Sequence, residues 1–143
     1  MKYAFYKVFI VPKKERNLFF EACFISIKVR INLILFSFNK YSKKFGEKGK
    51  HSEVQPETDA LLLAQIKHAI KRAVKYSVWR NKCMEQSITA KIMLSKRKID
   101  STIFFGVRKK NDHLEAHAWL KTGSTFVVGE KQCETYTVVS FYT

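Results

Sequence analysis

The chain has 143 residues, 27 of them Lys or Arg against 12 Asp or Glu, so its formal charge is +15 while 46% of its residues are apolar. That apolar content excludes a disordered basic tail, and a length that supports one core with about two-thirds of the chain's surface buried excludes a large multidomain enzyme. The charge is spread out: residues 1–55 carry 12 basic and 4 acidic groups, a net +8, and residues 56–143 carry 15 and 8, a net +7. Such a field attracts acidic partners without naming them.

Residues 2–11 are rich in aromatic and β-branched types and end at Pro12, which reads as a strand or extended arm. Residues 1–7 lack the apolar stretch and small-residue cleavage site of a secretory signal. After a Lys13–Arg16 turn, Leu18, Ala22, Ile25 and Val29 recur at helical spacing with further Ile and Phe between them, giving a helix apolar on most sides that belongs in a core. The most apolar stretch, residues 22–38, carries Lys28 and Arg30 near its middle. Each would cost about 2.5–3.5 kcal/mol at a bilayer centre, so no membrane partner is expected. Residues 39–58 are polar and basic with Gly46, Gly49 and Pro56, a flexible-linker composition. The division expected is therefore an N-terminal arm, helix and linker over 1–55, packed on a core over 56–143 within one structural domain.

Thr58 and Asp59 offer an N-cap to a helix with Leu62, Ile66, Ala69, Ile70 and Ala73 on one side and Lys67, Lys71, Arg72 and Lys75 on the other. A break over residues 76–82 precedes a second helix over 83–95. The period then changes to that of strands over 102–108, 114–121, 125–128 and 135–142, separated by turn residues. Helices followed by an antiparallel meander make an α+β fold, N-terminal helices packed on an antiparallel sheet.

Cys23, Cys83 and Cys133 are too few and too far apart for a disulfide framework and form no CxxC pair, so neither metal nor cofactor is expected and the default compartment is the reducing cytoplasm. Cys23 falls in the apolar helix and Cys133 after a turn. Cys83 differs: it opens a helix, with Asn81 as the expected N-cap and Arg80 and Lys82 beside it, where the macrodipole's positive end favours a thiolate. A cysteine nucleophile also needs a base, and His117 in the alternating run 114–120 is the best candidate, sharing a face with Glu115 and Trp119. His51, His68 and His113 fall in polar surroundings and read as surface residues.

A two-residue Gly123-Ser124 turn sets Thr122 opposite Thr125, and that register carries Glu130 opposite His117. Opposed residues have Cβ atoms about 5 Å apart, within reach for a carboxylate to orient an imidazole. Cys83, His117 and Glu130 thus form a candidate triad. The first-turn amide of Cys83 is a natural oxyanion donor, Trp79 a candidate second one, and Trp119 either packs in the core or floors the substrate groove.

The segments Arg80-Asn81-Lys82-Cys83-Met84-Glu85-Gln86-Ser87, residues 99–107, Ala116-His117-Ala118-Trp119-Leu120-Lys121 and Tyr136-Thr137-Val138-Val139-Ser140 resemble the lasso-peptide leader peptidases. These are the stand-alone B-type maturation proteins of the transglutaminase-like cysteine protease superfamily, and the likeness spans roughly residues 12–143. It implies a transglutaminase/papain-like core and a cysteine endopeptidase that removes the leader from a lasso precursor, with a separate leader-binding protein and an ATP-dependent cyclase as partners. Many such proteins carry an aspartate twelve residues after the histidine; that position here is Gly129, and Glu130 takes its place on register grounds. The alternatives are a catalytically silent peptide-binding scaffold, acyl transfer to an amine, and nucleic-acid binding. The last rests on charge alone, without a zinc-finger or RNP-like motif.

Overall fold

The computed structural model describes residues 11–49 and 59–143. The N-terminal arm, His51, the Thr58 part of the expected cap and the boundary at residues 55 and 56 lie outside them.

Helix α1 spans Lys13–Leu35, and the short α2 spans Phe38–Ser42. The Lys13–Arg16 stretch, expected as a turn, is the first turn of α1, because Pro12 presets the entry and its carbonyl accepts from the Arg16 amide at 3.0 Å. The expected buried positions Leu18, Ala22, Ile25 and Val29 are all buried. Helix α3 spans Ala60–Tyr76 and is capped by Asp59, whose carboxylate accepts from Leu61 N at 2.9 Å and Leu62 N at 3.1 Å. Helix α4 spans Cys83–Ser95, as its periodicity predicts. Helices α1, α3 and α4 pack on one another, and α4 lies against the sheet.

Strands β1 (Thr102–Lys110), β2 (His113–Thr122), β3 (Thr125–Val128) and β4 (Thr137–Tyr142) form an antiparallel sheet in the order β3-β2-β1-β4. The fold class is α+β, as the sequence indicates. The strands do not form a simple meander, however, because β4 pairs with β1 rather than β3. Gly129, at φ +78°, turns the chain out of β3, and residues 129–136 cross to the far edge of the sheet, with a 3₁₀ turn at Cys133–Thr135 on the way. In passing, Tyr136 packs on His117 with ring centroids 5.1 Å apart, and the Arg108 guanidinium stacks 4.4 Å from the Tyr136 ring.

The expected linker is partly structured. Beyond α2, Glu47 exchanges backbone hydrogen bonds with Thr143 at 2.9 and 3.1 Å, the Gly49 amide donates to Phe141 O, and Lys48 bridges Tyr142, so this segment lies along β4. Ile103, Phe105, Ala118, Leu120 and Tyr142 from the sheet join Ile66, Ile88, Met93 and Leu94 from the helices in one core.

Candidate active site

Helix α4 begins at Cys83, so its thiol and its amide both sit in the first turn, where backbone N–H groups lack intrahelical acceptors. The N-cap is Lys82 rather than Asn81. Glu85, three residues into the helix and buried, accepts from the Lys82 amide at 3.2 Å, which closes the first turn from within. The same carboxylate is within 3.4 Å of Arg30 on α1 and 3.5 Å of Arg80 in the preceding loop. Asn81 acts through its backbone, its carbonyl accepting from Gln86 Nε2 at 2.8 Å. Glu85 escaped the sequence reading, although a glutamate at the third position of a helix is a capping signature.

Cys83 and His117, 34 positions apart in sequence, line one cleft of about 690 Å³. Its wall is made by small sheet residues, Gly106, Ala116 and Ala118, with Phe38, Phe105 and Val139 adding apolar surface and Arg30, Arg80 and Lys82 adding cationic groups. Gly106 is the β1 partner of His117, and a Cβ there would come within 2.9 Å of the Trp119 ring and of Tyr136. A bare backbone is therefore required at that position.

His117 also borders a second cavity with Gln86, Gly129 and Glu130, so it stands between the thiol side of α4 and the turn after β3. Its Nε2 lies 2.9 Å from the Gly129 carbonyl oxygen. A carbonyl only accepts, so Nε2–H donates to it, and Nδ1 is left as the basic nitrogen. The ring is further held by stacking on Trp119 at 5.9 Å and by Tyr136.

The expected register beyond the hairpin turn does not hold. Thr122 pairs with Thr125 and Lys121 with Phe126, but Leu120 pairs with Val128, so Val127 is an extra residue and the ladder slips by one. Strand β3 then ends, which brings Gly129 to His117 and leaves Glu130 off its expected partner. The Glu130 side chain is 61% exposed and pairs with Lys67 at 3.5 Å. Trp119 is 5% exposed, stacked between His117 and Phe104, and is not among the cleft-lining residues. Neither is Trp79, whose buried indole Nε1 has no hydrogen-bond partner among the described residues.

The other thiols sit in different surroundings. Burial pushes the Cys23 thiol up against a partial opposing pull from Arg72, and burial together with the adjacent Glu134 carboxylate pushes Cys133 up. No group of three or more His, Cys, Asp or Glu side chains arranged to hold a metal occurs among the described residues.

A profile of the transglutaminase-like superfamily matches residues 25–140. The chain belongs to the transglutaminase-like superfamily. That match takes in the C-terminal part of α1 from residue 25, α4 and the whole sheet up to Ser140. The superfamily includes cysteine proteases and acyltransferases, so a chemistry centred on a cysteine fits the chain. Neither a curated protein nor a solved structure matches the sequence. No helix among the described residues is long and apolar enough to cross a membrane.

Proposed function

We propose that the protein is a cysteine endopeptidase in which Cys83 is the nucleophile and His117 the general base. The observation that carries the reading is the shared cleft: a first-turn cysteine and a strand histidine line it together, and Nε2 of the histidine is tied to the Gly129 carbonyl. Nδ1 of His117 takes the Cys83 proton as sulfur attacks the scissile carbonyl. The Cys83 amide, free of an intrahelical acceptor, stabilises the oxyanion. His117 then returns the proton to the departing amine, leaving the acyl group on sulfur as a thioester, which water hydrolyses. Gly129 takes the orienting part of a triad acid, and Glu130 is left outside the machinery.

The substrate in this reading is the leader–core junction of a lasso-peptide precursor. Cleavage there releases the core's N-terminal amine for macrolactam formation by a separate ATP-dependent cyclase, with a separate leader-binding protein delivering the precursor. The sequence resemblance supports this assignment, and the apolar wall and cationic rim of the cleft suit a peptide that carries both apolar and acidic side chains. The test is cleavage of the precursor in the presence of the leader-binding protein, read by mass spectrometry. Wild type should yield leader and core, and Cys83→Ala neither; cleavage undiminished in Cys83→Ala would end the assignment.

A further inference from the structure

Helix α1 is apolar on two faces, and among the described residues only one of them is buried in the core. Leu18, Ala22, Ile25 and Val29 enter the core, while Phe20, Phe24, Ile27, Ile31 and Ile34 form a second stripe, spaced four and three residues apart, that remains in solvent. Phe24 is 68% exposed and Ile34 65%, with Leu35 and Phe36 continuing the patch. The stripe runs about 21 Å along the helix. Contiguous exposure on that scale marks an interaction surface rather than scattered surface apolars.

What surrounds the stripe points to the occupant. Lys28 lies beside it, and Lys40, Lys43 and Lys44 follow at its C-terminal end, all exposed. Lys40 and Lys44 stand over the exposed Phe36 ring, at 5.5 and 6.0 Å from its centroid. Next to Phe24 a groove of about 310 Å³ has Tyr41 and Phe45 among its apolar lining and Lys28, Lys44 and Lys96 among its cationic lining. Apolar surface bordered by lysines on a chain of charge +15 is complementary to an anionic apolar partner. A symmetric contact with a second copy would set this cationic patch against itself.

We infer that the exposed face of α1 docks on an anionic lipid bilayer surface, with the Phe20–Ile34 stripe in the headgroup boundary and Lys28, Lys40 and Lys44 against the lipid phosphates. Such a helix lies in the interface rather than crossing it. The two charges that oppose a membrane span do not oppose this arrangement: Lys28 reaches the headgroups, and Arg30 faces the protein, where it pairs with Glu85. This differs from the sequence expectation of no membrane partner, which weighed spanning alone.

Flotation of the full chain with phosphatidylcholine vesicles, with and without phosphatidylglycerol, tests the inference. Wild type should bind the phosphatidylglycerol vesicles at least about tenfold more strongly than the neutral ones and be released by salt. A Phe24→Ser/Ile31→Ser double variant, exposed and so free of a core penalty, should lose binding while melting as wild type does, and Lys28→Glu/Lys44→Glu should lose the phosphatidylglycerol preference. Absence of vesicle binding, or binding indifferent to both variants, would overturn the inference. So would a concentration-dependent dimer in sedimentation that Phe24→Ser/Ile31→Ser disperses, which would assign the face to a second copy.

Discussion

Replacing Glu130 by alanine separates a carboxylate-oriented histidine from a carbonyl-oriented one. The Glu130 carboxylate touches Lys67 at 3.5 Å, and the two side chains are 61% and 36% exposed, so their ion pair contributes about 0–1 kcal/mol and less at high salt. For a domain of this size that limits the fall in Tm to about 4 °C. If the Gly129 carbonyl holds Nε2, as the 2.9 Å contact indicates, the activity change should stay within about twofold, the equivalent of about 0.5 kcal/mol for a surface substitution. If Glu130 instead oriented the imidazole, its loss should cost about 10⁴-fold, as removal of a triad acid does. The two outcomes differ by more than three orders of magnitude, well beyond assay scatter. Initial rates of precursor cleavage for wild type and Glu130→Ala, with melting curves on the same samples, decide between them. A loss beyond about a hundredfold without unfolding would refute the carbonyl assignment.

The complementary substitution is Gly129→Ala. A Cβ there would lie 2.6 Å from the Ala118 carbonyl and 2.7 Å from Trp119 Cβ, on a backbone at φ +78°, so the turn must move and its carbonyl with it. Activity should fall at least about a hundredfold, with a KM changed much less than kcat. Glu85→Ala removes the helix cap and two charge-assisted contacts; since Arg30 and Arg80 stay partly in solvent, the cost is about 2–3 kcal/mol, readable by urea denaturation, and Glu85→Gln should recover part of it by keeping the cap. Lys91 is buried in α4 and donates to the Ser101 carbonyl at 2.5 Å; burial pulls its ammonium below the ordinary value of 10.5 against a weaker opposing pull from Asp100. The folded state therefore binds that proton less tightly than the unfolded chain. The penalty is complete below the folded value and relieved as pH rises towards 10.5, so wild type should gain stability relative to Lys91→Met as the pH is raised towards 10.5.

Much of this molecule was legible in the chain because its signals are local. The Asp59 cap, the 3.6-residue period of α3, the start of α4 at Cys83 and the β-rich runs after residue 101 depend on neighbours a few positions away. What escaped is non-local. A bulge at Val127 leaves no composition mark, yet one extra residue moves every later partner and exchanges Glu130 for Gly129 at His117. The return of β4 to β1, with Tyr136 meeting Arg108 on the way, is a pairing of distant segments that no strand pattern encodes. The apolar content of α1 was legible, but not its division between a core face and an exposed one.

The pairing of Cys83 with His117 is tested most directly by rates of alkylation with iodoacetamide near neutral pH, resolved thiol by thiol by peptide mass spectrometry. Cys83 should react first, ahead of Cys23 and Cys133, whose thiolates are disfavoured by burial. His117→Ala should slow Cys83 by at least about tenfold and leave the other two thiols unchanged. Equal rates for the three thiols, or a Cys83 rate untouched by His117→Ala, would contradict the dyad.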